Sequence, residues 1–179
     1  MRLALALAIS LTASSAFAGE WFQHRFGEAR AYHGSWLAVC ADKGEGDCRA
    51  VQLGGKDGVD GQRRMAINVV RPGRYIVTVF QRGWALGDSD FVTVDIDGQL
   101  TALKNSQWAA GEMDVSNVAE TFTITDDAVN ATFVADLKAG NRATVAMGTE
   151  YDRKSAAFDL SGITAALNAI EARIAKRGS

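Results

Sequence analysis

Two cysteines at the inner ends of two short alternating stretches restrict this chain more than anything else in it. His33-Gly-Ser-Trp-Leu-Ala-Val-Cys40 leads to Cys48-Arg-Ala-Val-Gln52 through the turn-forming Lys43-Gly-Glu-Gly-Asp47. Trp36, Ala38 and Cys40 share one parity while Leu37 and Val39 take the other, the period of a strand with both faces at least partly covered. Two such arms joined by turn residues read as a hairpin, which brings Cys40 and Cys48 within disulfide reach without any distant contact. Closing so short a loop contributes about 2.5 kcal/mol in the chain-entropy treatment, so the bridge assists a hydrophobic core and does not replace one.

The compartment is written at the start of the chain. Residues 1–18 carry Arg2, an apolar run from Leu3 to Leu11, and Ala16-Phe-Ala18, the pattern of a secretory signal peptide with a small-x-small cleavage site. That run is too short to span a bilayer, and no later stretch approaches the roughly 20 apolar residues of a transmembrane helix. No cysteine follows the cleavage site, so a lipid anchor is not indicated and the product is expected in the periplasm or secreted further. Residues 19–179 are read as a single β-rich domain with a C-terminal helix. Removing 1–18 takes away only Arg2 among the charged residues, leaving 18 basic against 21 acidic ones, a balance that does not invite nucleic acid. Two cysteines in an exported chain most simply make one bridge.

Met65-Ala-Ile-Asn-Val-Val70 and Tyr75-Ile-Val-Thr-Val-Phe-Gln81 are rich in β-branched and aromatic residues and flank the turn Arg71-Pro-Gly-Arg74, a second hairpin. Phe91-Val-Thr-Val-Asp-Ile96 and Leu100-Thr-Ala-Leu103 flank Asp97-Gly98, a pair suited to positive φ, and make a third. Further strands are expected over 120–124, 142–147 and 156–160. Residues 19–32 show no clean period and read as an irregular arm, 107–118 resist assignment, and 54–61 and 83–88 are loops by composition. Two stretches change to the helical period. In 126–139, Val129, Phe133, Val134 and Leu137 fall on the face turned to the sheet and Asn130 and Lys138 toward water; after Ser161, the stripe is Ile163, Leu167, Ile170 and Ile174. The expected fold is mainly β, a single-domain antiparallel β-sandwich or flattened barrel with two amphipathic helices packed on it.

Chemistry is sparse. With Cys40 and Cys48 paired, His24 and His33 alone do not make a four-ligand zinc site, and neither a Gly-x-Ser-x-Gly elbow nor a His-Glu-x-x-His helix is present. The Gly-rich 54–61 lacks P-loop spacing, since Lys56 is followed by Asp57. No catalytic residue, metal ligand or cofactor is assigned. Asp88, Asp90, Asp95 and Asp97 suit oxygen ligation of calcium, an acid/base pair, or solvated carboxylates that discourage edge-to-edge pairing, the last being favoured. Arg63, Arg64, Arg71, Arg74 and Arg82, with Tyr75 and Trp84 nearby in sequence, form a candidate patch for an anionic partner such as a lipopolysaccharide phosphate, an acidic glycan or an acidic protein surface. The alternative is that these arginines pair with neighbouring carboxylates.

Trp36-Leu-Ala-Val-Cys40 with Cys48-Arg-Ala-Val-Gln52 resembles the N-terminal signature of the invasion-associated locus B family of exported bacterial proteins. Ile124-Thr-Asp-Asp-Ala128, Ala135-Asp-Leu-Lys-Ala-Gly140, Ala143-Thr-Val-Ala146 and Phe158-Asp-Leu-Ser-Gly-Ile-Thr-Ala-Ala-Leu167 are similar to its C-terminal pattern in order and spacing. The resemblance implies a compact β-rich envelope or secreted protein, associated in pathogenic members with invasion of host cells and bringing no catalytic residues to transfer. Family members commonly carry a second cysteine pair in the middle of the domain; the corresponding stretch here, 97–113, has none. The function expected is that of a non-enzymatic exported protein acting through surface contacts at the cell envelope or host interface. The alternative is an inhibitor of a cell-wall or protein-degrading hydrolase, inserting residues 54–61 or 84–90 into the enzyme's cleft.

Overall fold

Met65, Ile67 and Val69 alternate along one arm and Tyr75, Val77 and Val79 along the next, and all six are buried. That shared parity fixes which face of the central hairpin is the inside, because a slip of one residue would turn the whole set to water. The computed structural model describes residues 19–53, 62–84, 86, 91–111, 119–149 and 153–177. The signal-peptide reading of 1–18, the loop 54–61 and residues 85 and 87–90 of the next loop lie outside the described residues. In chain order the strands are β1 (Phe22–Gln23), β2 (Ala29–His33), β3 (Trp36–Cys40), β4 (Cys48–Leu53), β5 (Arg63–Arg71), β6 (Arg74–Gln81), β7 (Phe91–Ile96), β8 (Gln99–Leu103), β9 (Trp108–Ala110) and β10 (Thr121–Ile124). Helix α1 (Asp127–Ala139), strands β11 (Arg142–Gly148) and β12 (Arg153–Asp159), and helix α2 (Ile163–Arg177) complete the chain.

The strands make two antiparallel sheets, β1-β2-β3-β4-β5-β6-β10-β9 and β12-β11-β7-β8. Both sheets and both helices feed one buried cluster, so the fold is mainly β and sandwich-like, as the alternation implies. The hairpins expected around Cys40–Cys48, Arg71–Arg74 and Asp97-Gly98 are all present. Asp97 and Gly98 have φ of 51° and 91°, the two positive values that a two-residue primed turn requires.

The N-terminal arm departs from its expectation. Residues 22–23 and 29–33 are strands, and β2 pairs with β3 along its whole length. Alternation was hidden there because the inward side chains are Ala29 and Ala31, which carry little hydrophobic signal yet are fully buried. Their smallness has a purpose: Ala31, Ala38 and Ala50 lie abreast in one cross-strand row, and α2 lies over β2 to β5 on this low floor through Ile163, Ala166, Leu167 and Ile170. Similarly, part of the unassigned 107–118 is the short strand β9, whose Trp108 rests edge-on against Phe122 at 6.2 Å.

The corner between β12 and α2 clamps the two sheets. Trp36 Nε1 donates to Asp159 O at 3.0 Å, Gln52 Nε2 donates to the same carbonyl, and Ser35 Oγ donates to Asp159 Oδ2 at 2.7 Å. Here the β2–β3 turn and the β12–α2 turn touch backbone to backbone. A Cβ on Gly34 would come within 2.6 Å of Ser161 O, and one on Gly162 within 1.9 Å of His33 O; both glycines also hold positive φ.

Helix α1 begins where expected, with the Asp126 carboxylate capping it by accepting from Ala128 N and Val129 N at 2.9 and 3.0 Å. Phe133, Val134 and Leu137 are buried as the period requires, and Val129 is half-buried. Asn130 is a correction: it is 1% exposed and does not face water. Its Oδ1 accepts from Val77 N at 2.9 Å and its Nδ2 donates to Ile124 O at 2.9 Å. β10 leaves its partner β6 at this point, and the Asn130 amide takes over the hydrogen bonds that the next strand residue would have made. Lys138 also departs from its expectation, being half-buried with Nζ donating to the Tyr75 hydroxyl at 3.2 Å and lying over that ring. The Tyr75 hydroxyl in turn donates to Glu171 of α2, and burial raises its pKa above the ordinary value.

Asn130→Ala is expected to strand the Val77 amide and the Ile124 carbonyl and to cost about 2–4 kcal/mol, comparable with the about 3–5 kcal/mol expected for Phe133→Ala. Urea midpoints at unchanged m-value measure both. A loss under about 0.5 kcal/mol for Asn130→Ala would mean that water satisfies these groups.

Candidate functional site

The five arginines of the candidate anionic patch sit at the two ends of the β5–β6 hairpin. Register pairs Arg63 with Gln81 and Arg64 with Phe80 at one end and Arg71 with Arg74 at the other, roughly 23 Å away at about 3.3 Å per residue. Arg63, Arg64 and Arg82 therefore make one group and Arg71 and Arg74 another. Arg64 lies over the Phe80 ring at 5.6 Å, and Arg74 pairs with Asp127 of α1 at 3.1 Å. Lys154, which was not singled out from the sequence, joins the first group, its Nζ donating to Gly83 O at 2.7 Å. Trp84 does not belong to any surface patch: it is 2% exposed and packs against Phe122 at 6.5 Å. An aromatic next to a Gly in a loop reads as a surface probe from sequence, and here it is a core residue of the loop's base.

Cys40 and Cys48 form the disulfide, at the ends of the directly paired β3 and β4. Their loop is held from the far end of the chain. Arg173 Nε donates to Gly44 O and its NH2 to Lys43 O, both at 3.1 Å, while Arg177 NH1 donates to Glu45 O and Gly46 O at 3.0 and 2.8 Å. A Cβ on Gly44 would meet the Arg173 guanidinium at 1.9 Å, so a side chain there would expel it. Trp21 covers the same guanidinium at 4.7 Å. The loop's outward carbonyls are thus a cation cradle already filled by the chain's own arginines.

Of the four aspartates, Asp88 and Asp90 lie outside the described residues. Asp97 Oδ2 accepts from Asn141 N and Nδ2 at 2.8 and 3.1 Å and its Oδ1 from Arg142 N at 3.0 Å. Those bonds, the Asn141 amide first, hold its carboxyl below the usual carboxylate range. Asp95 Oδ1 accepts from Gly98 N at 2.8 Å. Both carboxylates are therefore parts of the β7–β8 turn and its tie to β11. Among the described residues, no group of three or more His, Cys, Asp or Glu is placed to hold a metal ion.

His33 is buried at 3% exposure. Its Nδ1 accepts from Gly19 N at 3.4 Å, and Nε2 has no partner among the described residues. Burial pushes the imidazole below its ordinary pKa. A groove of about 530 Å³ runs between α1 and the β7–β8 hairpin, floored by Val94, Ile96 and Leu103 and walled by Val129, Phe133 and Ala139. No sequence feature announced it, since it arises from the spacing of two elements. Its volume is that of a small-ligand or short-peptide site.

These features define a two-sheet antiparallel β protein with one hairpin disulfide, two roofing helices and an apolar side groove. The chain is similar in fold to invasion associated protein B from Bartonella henselae, whose crystal structure superposes with a TM-score of 0.61 at 17% identity, covering 84% of this chain and 99% of that one. No protein-family model matches the chain, and no curated protein does.

Because the folded state favours neutral His33, the unfolded state binds the extra proton between the two pKa values. Stability is then complete above about pH 6.5, the ordinary histidine value, and declines as pH falls below it. Melting temperatures between pH 8 and 5 are expected to show this slope and His33→Gln to flatten it; an unchanged slope assigns the effect to other groups. Cys40→Ser is expected to lower the melting temperature without abolishing folding, and non-reduced denatured protein to show no free thiol; two titratable thiols would remove the bridge.

Proposed function

We propose that this chain is a non-enzymatic exported protein, a distant relative of the invasion-associated locus B proteins, that acts through surface contacts at the cell envelope or host interface. The observation that carries this reading is the fold likeness to a protein named for invasion, which runs over nearly the whole of that protein and most of this one. The Trp36–Cys40 and Cys48–Gln52 segments that suggested the family lie in β3 and β4, where they carry the bridge and the helix floor. Export through residues 1–18 supplies the oxidising compartment in which such a bridge persists. Contact with the partner falls to the surface, through the Arg63, Arg64 and Arg82 end of the sheet or through the apolar groove. The hydrolase-inhibitor reading placed Trp84 on an inserting loop, and the burial of that ring takes away its probe.

Expressed from its own start in a bacterial host, the protein is expected in the periplasmic or medium fraction beginning at Gly19, and cytoplasmic retention with Met1 would remove the export reading. Purified residues 19–179, with the bridge oxidised, are expected to bind isolated envelopes or host-cell surfaces saturably. Absence of binding to both, together with inhibition of lysozyme or a protease, would replace this function by the alternative.

A further inference from the structure

β8 is an edge strand, paired with β7 alone. Ile96 and Gln99 flank the two-residue turn and so form a hydrogen-bonded pair; Val94 and Thr101, then Val92 and Leu103, repeat it in register. By that alternation the N–H and C=O groups of Leu100 and Ala102 point away from β7, and among the described residues neither has a backbone partner. They open beside the groove described above. Gln99, Thr101 and Leu103 turn their side chains into it, and α1 forms the opposite wall.

The direction of α1 is fixed by its ends. Its C-terminus meets the β7–β8 turn, where Asn141 binds Asp97, and its start lies near the far end of β8, where Thr125 N donates to Gln107 O at 2.9 Å. The helix therefore runs antiparallel to the free edge. An unpaired edge facing a helix across an apolar trough is the geometry in which an extended segment adds as a further strand, its alternate side chains dropping into the trough.

The charge on the walls selects the segment. Asp97 and Asp136 stand at the turn end, and the Asp136 carboxylate has no partner among the described residues. Lys104 and Gln107 stand at the other end. Lys138, the nearest cation in sequence to Asp136, turns to the Tyr75 hydroxyl, and Arg142 shares the parity of Thr144 and Ala146, which line the opposite face of the sheet. Antiparallel pairing with β8 puts the C-terminal part of an added strand at the acidic end.

We infer that the groove between β8 and α1 binds an extended peptide segment of a partner protein by strand addition to Leu100 and Ala102, with an apolar side chain opposite Thr101 and a lysine or arginine two residues later facing Asp97 and Asp136. This names a partner chemistry for the surface-contact reading above and rests on it. The peptide pairs its backbone with the edge, covers Phe133 and Val129, and brings its cation to the acidic end.

The probe is a blocked, fluorescently labelled heptapeptide, Ser-Val-Thr-Val-Thr-Lys-Ser, titrated into oxidised residues 19–179 and followed by anisotropy and amide spectra. Saturable binding below about 1 mM is expected, with the Leu100 and Ala102 amides shifted and protected from exchange. Replacing the peptide lysine by glutamate is expected to weaken binding by about tenfold, and Asp136→Lys in the protein to weaken the lysine peptide similarly while restoring the glutamate peptide. Ala102→Pro removes an outward N–H that the fold does not use, so it is expected to abolish binding at an unchanged melting temperature. The inference is overturned by no binding at about 1 mM, by binding indifferent to Asp136→Lys and to the peptide charge, or by sedimentation showing that a second copy of the chain occupies β8. Failure of this test with intact envelope or host-surface binding sinks the groove assignment alone; failure of both sinks the surface-contact reading.

Discussion

The close approach of α2 to the alanine floor of β2, β3 and β4 is the constraint on which the rest of the structure depends. Residues larger than alanine at 31, 38 or 50 would lift the helix, and lifting it would pull Arg173 and Arg177 from the disulfide loop and Glu171 from Tyr75. The corner at Asp159 sets the height from the other side, since Gly34 and Gly162 leave no clearance between the two turns. One packing distance thus ties the first three long strands, the bridge and the last helix into a single unit.

A second dependence runs through Asn130. Sheets end cleanly when a strand stops, but β10 turns directly into α1 while β6 continues beside it. An apolar side chain there would leave a donor and an acceptor unpaired inside the protein. The amide does for β6 what another residue of strand would do, and it fixes the rotation of α1, which sets Val129 and Phe133 along the groove.

Much of this was legible because it rests on local patterns. Val and Ile alternation gave β5 to β7, Asp97-Gly98 gave its turn, and the spacing of Val129, Phe133 and Leu137 gave α1 nearly to the residue. What escaped was set by partners distant in sequence. Ala29 and Ala31 are inward because a helix some 130 residues later rests on that floor; Asn130 is inward because a strand departs; Trp84 is inward because Phe122 receives it. The same limit applies to the candidate site. Clustering of arginines along the sequence ignores that a hairpin folds its middle away from its ends, so Arg64 and Arg71 separate although only a strand lies between them. A groove between two elements has no signature in either one alone.

The hydrogen bonds from Arg173 and Arg177 to residues 43–46 join positions some 130 residues apart. A chain that emerges N-terminus first closes its hairpin and bridge early, yet β2 to β4 must wait with an open apolar face until the final turns arrive. Any product cut short before residue 163 keeps that face bare, offering chaperones and proteases a ready mark of incompleteness. The open face closes only when α2 arrives, and that helix serves as its own receipt.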